Sequence, residues 1–315
     1  MNRKAVIFGL SGIKLSAEER FFLINEKPWG IILFKRNIKS SKQLNILINE
    51  IKKIFNDKKY PILIDQEGGR VCRLNNIIDF SFFSQKYFGN LYKYNKENFT
   101  YFYDIYIKNV ANVLNKFGIN INTVPVLDVM RSQTNNVIGD RSYSRDHNIV
   151  SKIGFECIKL FSKYKIGTVM KHIPGHGLAK NDTHFKKTIV SSSKKILIKK
   201  DFIPFKNCNP FFAMTSHIIY KSYDSKYTAT HSKIIIDKII REKIGFKGLI
   251  ISDDITMKSL NFGILKNATL ALDAGCNLIL HCNGRINEMK RLAKFVPKVD
   301  RFVSKKTSQF YQFLS

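Results

Sequence analysis

The stretch Lys171-His-Ile-Pro-Gly-His-Gly-Leu-Ala-Lys-Asn-Asp-Thr-His184 decides how this chain is interpreted. It follows the short apolar run 167–170, which predicts a buried strand, and it enters a loop marked by Pro174, Gly175 and Gly177. Three of the chain's seven histidines lie within it. Such a cluster after a strand is typical of a functional site in an α/β protein, although each histidine alone also fits a polar surface loop.

Apolar runs of strand length recur eight times, and most lack the polar alternation of half-exposed strands. Runs of this kind are typical of parallel strands that are covered on both faces. They occupy 5–10, 30–34, 61–64, 120–127, 167–170, 211–215, 248–251 and 277–280.

Segments with helical spacing lie between the apolar runs, at 44–55, 107–117, 149–161, 234–240 and 268–272. Ser40 and Ser41 are cap candidates for the first of these, and Gly118 stands just past the end of the second. The repeated alternation predicts the α/β class and a single (β/α)8 TIM-type barrel over 1–315, with 302–315 as a terminal helix or tail. Periodicity alone does not exclude a doubly wound open sheet.

The formal net charge of +29 raises the question of nucleic-acid binding. A nucleic-acid-binding protein concentrates its basic residues on one face or arm, whereas the lysines here are spread over almost every segment. We therefore expect a small-molecule substrate and no nucleic-acid partner. The charge should still attract anionic ligands in a salt-dependent way.

The five cysteines form no CxxC pair, and an odd, scattered set is typical of a reducing compartment. The run after the basic residues at the start is too short for a signal peptide, and no stretch approaches the ~20 apolar residues of a spanning helix. We expect a cytoplasmic protein without a membrane partner, and a monomer.

Polar and ionisable residues follow several of the predicted strands, which is where a barrel builds its active site. They lie in Asp65-Gln-Glu-Gly-Gly-Arg70-Val-Cys-Arg73, at Asp128, in Gly139-Asp-Arg141, in the stretch that ends at His184, at His217 and in Ser252-Asp-Asp254. This regularity is stronger evidence than any single motif.

Neighbouring residues on an extended chain point to opposite sides, so only one of Asp253 and Asp254 can face the barrel axis. We expect Asp254 to cap the following helix. A carboxylate at the axis of so basic a chain should be ionised, ready to attack an anomeric carbon or to stabilise a cation.

Residues i and i+2 of an extended loop face the same way, so Asp182 can hydrogen-bond one imidazole nitrogen of His184 and leave the other free to move a proton. The same spacing also fits two surface residues. A metal site built from His172, His176, Asp182 and His184 is the competing interpretation. Pro174 and Gly175 prevent the helical pairing of a zinc protease, and we expect no metal and no cofactor.

Together these motifs resemble the β-N-acetylhexosaminidases of glycoside hydrolase family 3, and among them the single-domain bacterial cytoplasmic type of peptidoglycan recycling. The resemblance covers nearly the whole chain, in the family's order and close to its spacing. It is carried by Gly30-Ile-Ile-Leu-Phe-Lys-Arg-Asn37, Asp65-Gln-Glu-Gly-Gly-Arg70, Val124-Pro-Val-Leu-Asp128, Gly139-Asp-Arg-Ser-Tyr143, Lys171-His-Ile-Pro-Gly-His-Gly177, Asp182-Thr-His184, Ser252-Asp-Asp254 and Asp273-Ala-Gly-Cys276.

The resemblance implies a retaining exo-β-N-acetylglucosaminidase that removes N-acetylglucosamine from 1,6-anhydro-muropeptides. It implies that Asp253 is the nucleophile that forms a covalent glycosyl-enzyme, that His184 is the general acid/base, and that Asp182 orients it. It also implies a set that holds the sugar ring: Asp65, Arg73, Arg141, Lys171 and His172. Arg70 is expected to support its loop rather than to touch the sugar.

Two departures from the family pattern stand at Ile173, where Phe is usual, and at Asp140, where Glu is commoner. The nearest alternative function is a phosphorylase, since some relatives with a histidine acid/base transfer the sugar to phosphate. A barrel that binds sugar without cleaving it is disfavoured because the nucleophile and the acid/base are both present.

Overall fold

The computed structural model describes residues 1–132, 134–183, 186–206 and 208–315. They form a closed barrel of eight parallel strands in the order β1-β10-β9-β7-β5-β4-β3-β2, with β6 paired to β8 in a separate two-stranded sheet. The strands are β1 Lys4–Gly9, β2 Pro28–Leu33, β3 Ile62–Ile64, β4 Ile121–Asn122, β5 Gly167–Ile173, β6 Thr188–Val190, β7 Phe212–Thr215, β8 Ile218–Tyr220, β9 Leu249–Asp254 and β10 Leu278–His281.

Helices connect and surround these strands. The α-helices are α1 Ala17–Glu26, α2 Ser41–Ile54, α3 Gln85–Tyr94, α4 Lys96–Phe117, α5 His147–Lys163, α6 Lys194–Ile196, α7 Ile264–Ala274, α8 Ile286–Phe295 and α9 Arg301–Phe313. Two segments are π-helical: Leu197–Asp201 and the longer barrel helix Ile235–Ile244. Short 3₁₀ helices span Lys35–Asn37, Gly139–Arg141, Ile203–Phe205 and Ala229–His231.

The sequence predicted the barrel correctly, since a strand lies in each of the eight apolar runs. Two predicted helix ends are also confirmed. The Ser40 hydroxyl accepts the Gln43 amide hydrogen as the N-cap of α2, and Gly118 ends α4 with a φ of 74° that favours glycine. The open-sheet alternative is wrong because β1 closes the barrel by pairing with both β2 and β10.

Three strands differ from their predicted runs by more than one residue in length. β4 is only Ile121–Asn122, because Pro125 lies in the predicted run and has no N–H to donate to a ladder. β5 and β9 are longer and include Lys171, His172 and the Asp253-Asp254 pair. These polar residues were expected in loops, but they lie at the carboxyl ends of the strands themselves.

The last helix, α9, packs on the barrel and is not a frayed tail. Phe310 is fully buried, with its ring centroid 5.3 Å from that of Phe211 and 5.1 Å from that of Phe212. Gly167 makes room for it, since a Cβ there would lie 2.6 Å from the Phe310 ring. Thr307 of the same helix accepts a 2.9 Å hydrogen bond from the buried Trp29 indole.

Among residues 1–132, 134–183, 186–206 and 208–315, no helix combines the length and the apolar composition needed to cross a membrane.

Because Phe310 fills a fully buried position, Phe310→Ala should lower the free energy of unfolding by about 3–5 kcal/mol. Urea unfolding followed by circular dichroism measures this change. Gln309→Ala, at the exposed neighbouring position of α9, is the matched control and should shift it by less than about 0.5 kcal/mol. Equal, small effects of both variants would show that α9 contributes little to the core.

Candidate active site

The carboxyl ends of the barrel strands surround a cavity of about 540 Å³. Seven of the eight residues predicted for the site line this cavity: Asp65, Arg73, Arg141, Lys171, His172, Asp182 and Asp253. The eighth, His184, lies outside the described residues. Strand ends that are distant in sequence therefore bring the described candidates together, as the barrel predicts.

Lys171 stands at the centre of the polar wall of the cavity. Lys171 is only 2% exposed. Its ammonium nitrogen lies 2.7 Å from Glu67 Oε1, 3.1 Å from Asp65 Oδ1 and 2.9 Å from Thr123 Oγ1. A buried ammonium group is stable only when charged or polar partners replace its lost hydration. The three oxygens supply this replacement and fix the position of the lysine.

Glu67 joins Lys171 to Arg141. Its two carboxylate oxygens accept a bidentate pair of hydrogen bonds from Arg141, at 2.8 Å from Nε and 2.9 Å from Nη2. Burial alone would raise the pKa of Glu67, but the charges of Arg141 and Lys171 lower it to about 2. The same pairing outweighs desolvation for Arg141 and raises its pKa. Both groups are therefore ionised at neutral pH.

Asp65 is the second carboxylate of the cluster. Its Oδ2 accepts a 3.2 Å hydrogen bond from Arg73 Nη2, and its Oδ1 accepts from the Thr123 hydroxyl and from Lys171. Burial would raise its pKa, but Lys171 and Arg73 hold that pKa far below the ordinary aspartate value. The Arg73 guanidinium also lies over the Phe34 ring, 5.5 Å from its centroid.

Asp128 anchors two histidines of the opening stretch. Its Oδ2 accepts a 2.7 Å hydrogen bond from His172 Nδ1, so Nε2 is the imidazole nitrogen left for a bound molecule. Its Oδ1 accepts the amide hydrogens of His172 and His176, at 3.2 and 2.7 Å. Burial would raise the pKa of Asp128, but the neighbouring His172 lowers it. Burial lowers the pKa of His176 to about 4, which makes that ring neutral.

Asp253 and Asp254 end β9, which lies opposite β3 in the ring of eight strands, and both line the cavity. The Asp254 amide donates to Asp253 Oδ1 at 2.8 Å. Asp254 does not cap the next helix as expected, since α7 begins only after Gly263. Its carboxylate instead accepts from the Thr256 amide and hydroxyl, at 3.1 and 2.8 Å. The strand continues through both aspartates, and a loop separates them from α7.

His217, which follows β7, contacts the end of β9. Its Nε2 is 3.0 Å from the Asp254 carbonyl oxygen, so Nε2 is the donor, and its Nδ1 accepts from the Thr230 hydroxyl at 2.7 Å. Burial lowers the pKa of His217, which agrees with this neutral form. His217 is absent from the residues that line the cavity and fixes the end of β9 instead.

Arg70 lines the cavity and contacts the segment 136–140. Its Nε lies 2.9 Å from Asp140 Oδ1, and its Nη2 donates to the carbonyl oxygens of Asn136 and Val137. Asp140 thus forms an ion pair with Arg70. These contacts hold one wall of the cavity.

The sequence placed Glu67, Asp128 and His176 near strand ends but assigned none of them a catalytic or sugar-binding role. Glu67 stands two residues after Asp65, and this i, i+2 spacing was the available signal that both carboxylates face the same way. Asp128 carried only the weaker signal of a carboxylate after the fourth strand. His176 was considered only as a metal ligand. In the structure its amide donates to Asp128, and its ring nitrogen Nε2 lies within hydrogen-bond distance of the Thr183 hydroxyl.

Within the described ranges, no group of three or more histidine, cysteine, aspartate or glutamate side chains has the geometry of a metal site. Asp65 and Glu67 are engaged by cations of the protein, and His172 by Asp128. The geometry of the described groups is therefore that of an ion-paired polar wall.

The site is that of a barrel enzyme whose strand ends carry carboxylates, imidazoles and fixed cations. The N-terminal domain of glycosyl hydrolase family 3 matches residues 4–307. The chain is 32% identical over 286 residues to a beta-hexosaminidase of Tolumonas auensis, covering 89% of this chain and 83% of that protein. It is 31% identical to a beta-hexosaminidase of Psychromonas ingrahamii, and the match covers 98% of this chain and 89% of that protein.

Among solved structures, NagZ of Neisseria gonorrhoeae in complex with N-trifluoroacetyl-D-glucosamine superposes with a TM-score of 0.84 at 28% identity, covering 100% of this chain and 91% of that one. The chain belongs to glycosyl hydrolase family 3. Within that family it is a glycoside hydrolase of the β-N-acetylhexosaminidase type.

Removing the negative charge of Glu67 leaves Arg141 and Lys171 buried without their shared partner. Glu67→Gln should therefore lower the free energy of unfolding at neutral pH by about 3 kcal/mol. Denaturant unfolding measures this loss. The matched control is Asp140→Asn, which breaks a pair with Arg70 whose side chains are 40% and 38% exposed and should cost less than about 1 kcal/mol.

The contribution of Glu67 to the free energy of unfolding should depend on pH. The pKa of Glu67 falls from 4.5 to about 2 on folding, so its contribution is complete above pH 4.5 and is lost as the pH falls toward 2. The stability difference between the wild type and Glu67→Gln should shrink over that interval. A difference that stays constant down to pH 2 would contradict the charged pairing of Glu67.

Proposed function

We propose that the chain is a retaining exo-β-N-acetylglucosaminidase in which Asp253 is the nucleophile and His184, oriented by Asp182, is the general acid/base. The observation that carries the proposal is that Asp253 and Asp182 line the same cavity as the ion-paired wall around Lys171. A carboxylate on a rigid strand and a proton-transfer pair on a loop are the two groups that a retaining glycosidase needs.

In the first step, an Asp253 carboxylate oxygen forms a bond to the anomeric carbon while the bond from that carbon to the leaving oxygen breaks. The imidazolium form of His184 gives its proton to that oxygen. In the second step, a water oxygen attacks the anomeric carbon, the neutral imidazole takes the water proton, and the ester bond to Asp253 breaks. The sugar leaves with its original anomeric configuration.

The wall opposite Asp253 supports a role in holding the sugar ring. Asp65 accepts hydrogen bonds, and Arg73, Arg141 and Lys171 donate them. His172 lines the cavity, and its Nδ1 is taken by Asp128, which leaves Nε2 for a sugar hydroxyl. Their ion pairs fix these groups before substrate arrives, which lowers the entropic cost of orienting it. The N-trifluoroacetyl-D-glucosamine bound by the gonococcal relative supports N-acetylglucosamine as the sugar.

We propose 1,6-anhydro-muropeptides as the natural substrates, and hence a role in peptidoglycan recycling. Support comes from the likeness to NagZ along the whole chain. The five cysteines are all free thiols, which favours a reducing compartment, and we propose the cytoplasm.

Hydrolysis is favoured over phosphorolysis by the charges of the cavity. Each of the four cations among its described lining residues already has a carboxylate partner: Arg70 with Asp140, Arg73 with Asp65, and Arg141 and Lys171 with Glu67. A phosphate dianion would have to compete with these carboxylates. Water carries no charge and meets no such competition.

The wild type should release p-nitrophenol from p-nitrophenyl N-acetyl-β-glucosaminide, and Asp253→Ala should lower kcat by about 10³-fold or more, because no covalent intermediate can form. His184→Ala should lower kcat by about 10²-fold, the usual contribution of general acid/base catalysis. The chromophore is measured continuously. Asp273→Ala, an exposed carboxylate on α7, is the matched control and should retain the wild-type rate.

The same assay with added phosphate tests the alternative. Free N-acetylglucosamine as the product supports a hydrolase, whereas the sugar 1-phosphate would establish a phosphorylase. Full activity of Asp253→Ala, or no turnover by folded wild type, would overturn the proposed function.

A further inference from the structure

Thr183 separates Asp182 from His184 in the chain and is itself only 3% exposed. Its hydroxyl oxygen lies 3.2 Å from His176 Nε2, and its carbonyl oxygen accepts a 3.2 Å hydrogen bond from the Ser259 amide. The residue is thus held through its side chain on one side and through its backbone on the other.

The two groups that hold Thr183 belong to different parts of the barrel mouth. His176 follows β5 and is fixed by the 2.7 Å hydrogen bond from its amide to Asp128 Oδ1. Ser259 follows β9, the strand of Asp253, and is buried beside the cavity-lining Met257. Thr183 therefore connects the loop of the acid/base pair to the segment that continues from the nucleophile strand.

We propose that Thr183 is a positioning residue of the reaction, because its hydroxyl contact with His176 and its carbonyl contact with Ser259 hold the residue that stands between Asp182 and His184 in the chain. This inference rests on the proposed function of Asp182 and His184. Thr183 itself needs no contact with the sugar.

The geometry of proton transfer explains why such a connection matters. A general acid must lie within about 2.6–3.2 Å of the oxygen that receives its proton. A displacement of about 1 Å can cost roughly 10²-fold in rate. A neutral His176, whose pKa burial lowers to about 4, can keep one hydrogen bond to the hydroxyl throughout the neutral pH range.

Thr183→Val tests the inference because valine keeps the shape of threonine and removes only the hydroxyl oxygen. Thr183→Ser restores the hydroxyl and is the matched control. Each variant is assayed on N-acetyl-β-glucosaminides with two leaving groups. A 2,4-dinitrophenolate leaves without help from an acid, whereas the sugar alcohol of a β-linked N-acetylglucosamine disaccharide needs a proton.

Thr183→Val should lower kcat/KM for the disaccharide by about tenfold or more and leave kcat/KM for the dinitrophenyl substrate within about threefold of wild type. Its kcat on the dinitrophenyl substrate should still fall, because the second step needs the same imidazole as a base. Thr183→Ser should restore both values toward wild type.

An equal loss on both substrates, or no loss on either, would overturn the inference while wild-type turnover left the proposed function intact. An inactive wild type would defeat the proposed function itself. If Thr183→Val does not fold, as judged from its thermal unfolding, Thr183→Ala gives the same leaving-group comparison without the branched side chain.

Discussion

The buried ammonium group of Lys171 is the constraint on which the rest of the site depends. A lysine at the mouth of an apolar barrel is strongly destabilising unless anions and hydroxyls replace its water. Asp65 and Glu67 meet this need from the end of β3, and Thr123 meets it from the end of β4. The ion pair thereby ties three neighbouring strand ends to one geometry.

The two carboxylates need further cations, because together they carry two negative charges and Lys171 carries one positive charge. Arg141 donates two hydrogen bonds to Glu67, and Arg73 donates one to Asp65. Arg73 lies in a loop and Arg141 ends the 3₁₀ turn Gly139–Arg141, so these ion pairs also fix the positions of two segments outside the barrel strands. The outcome is a wall of donors and acceptors that is in place before a sugar arrives, with Asp253 on β9 across the cavity.

The sequence predicted the barrel well because all its strands are covered on both faces and appear as separate apolar runs. It also predicted that the described candidate residues come together at one cavity, because the polar residues of a barrel's functional site gather at the carboxyl ends of its strands. The lengths of β5 and β9 were harder to predict. Lys171 and Asp253 look like loop residues until their partners are known, and Asp254 looked like a helix cap. Contacts such as Asp128 with His176 join residues 48 positions apart, which local periodicity cannot reveal.

Trapping of the glycosyl-enzyme tests whether Asp253 is the nucleophile. A fluorinated N-acetylglucosaminyl donor with a good leaving group forms the intermediate and slows its hydrolysis, and intact-protein mass spectrometry followed by peptide mapping locates the bound sugar. We expect one sugar per chain, in ester linkage to Asp253. A sugar found on another residue, or turnover of the donor with inversion at the anomeric carbon, would contradict it.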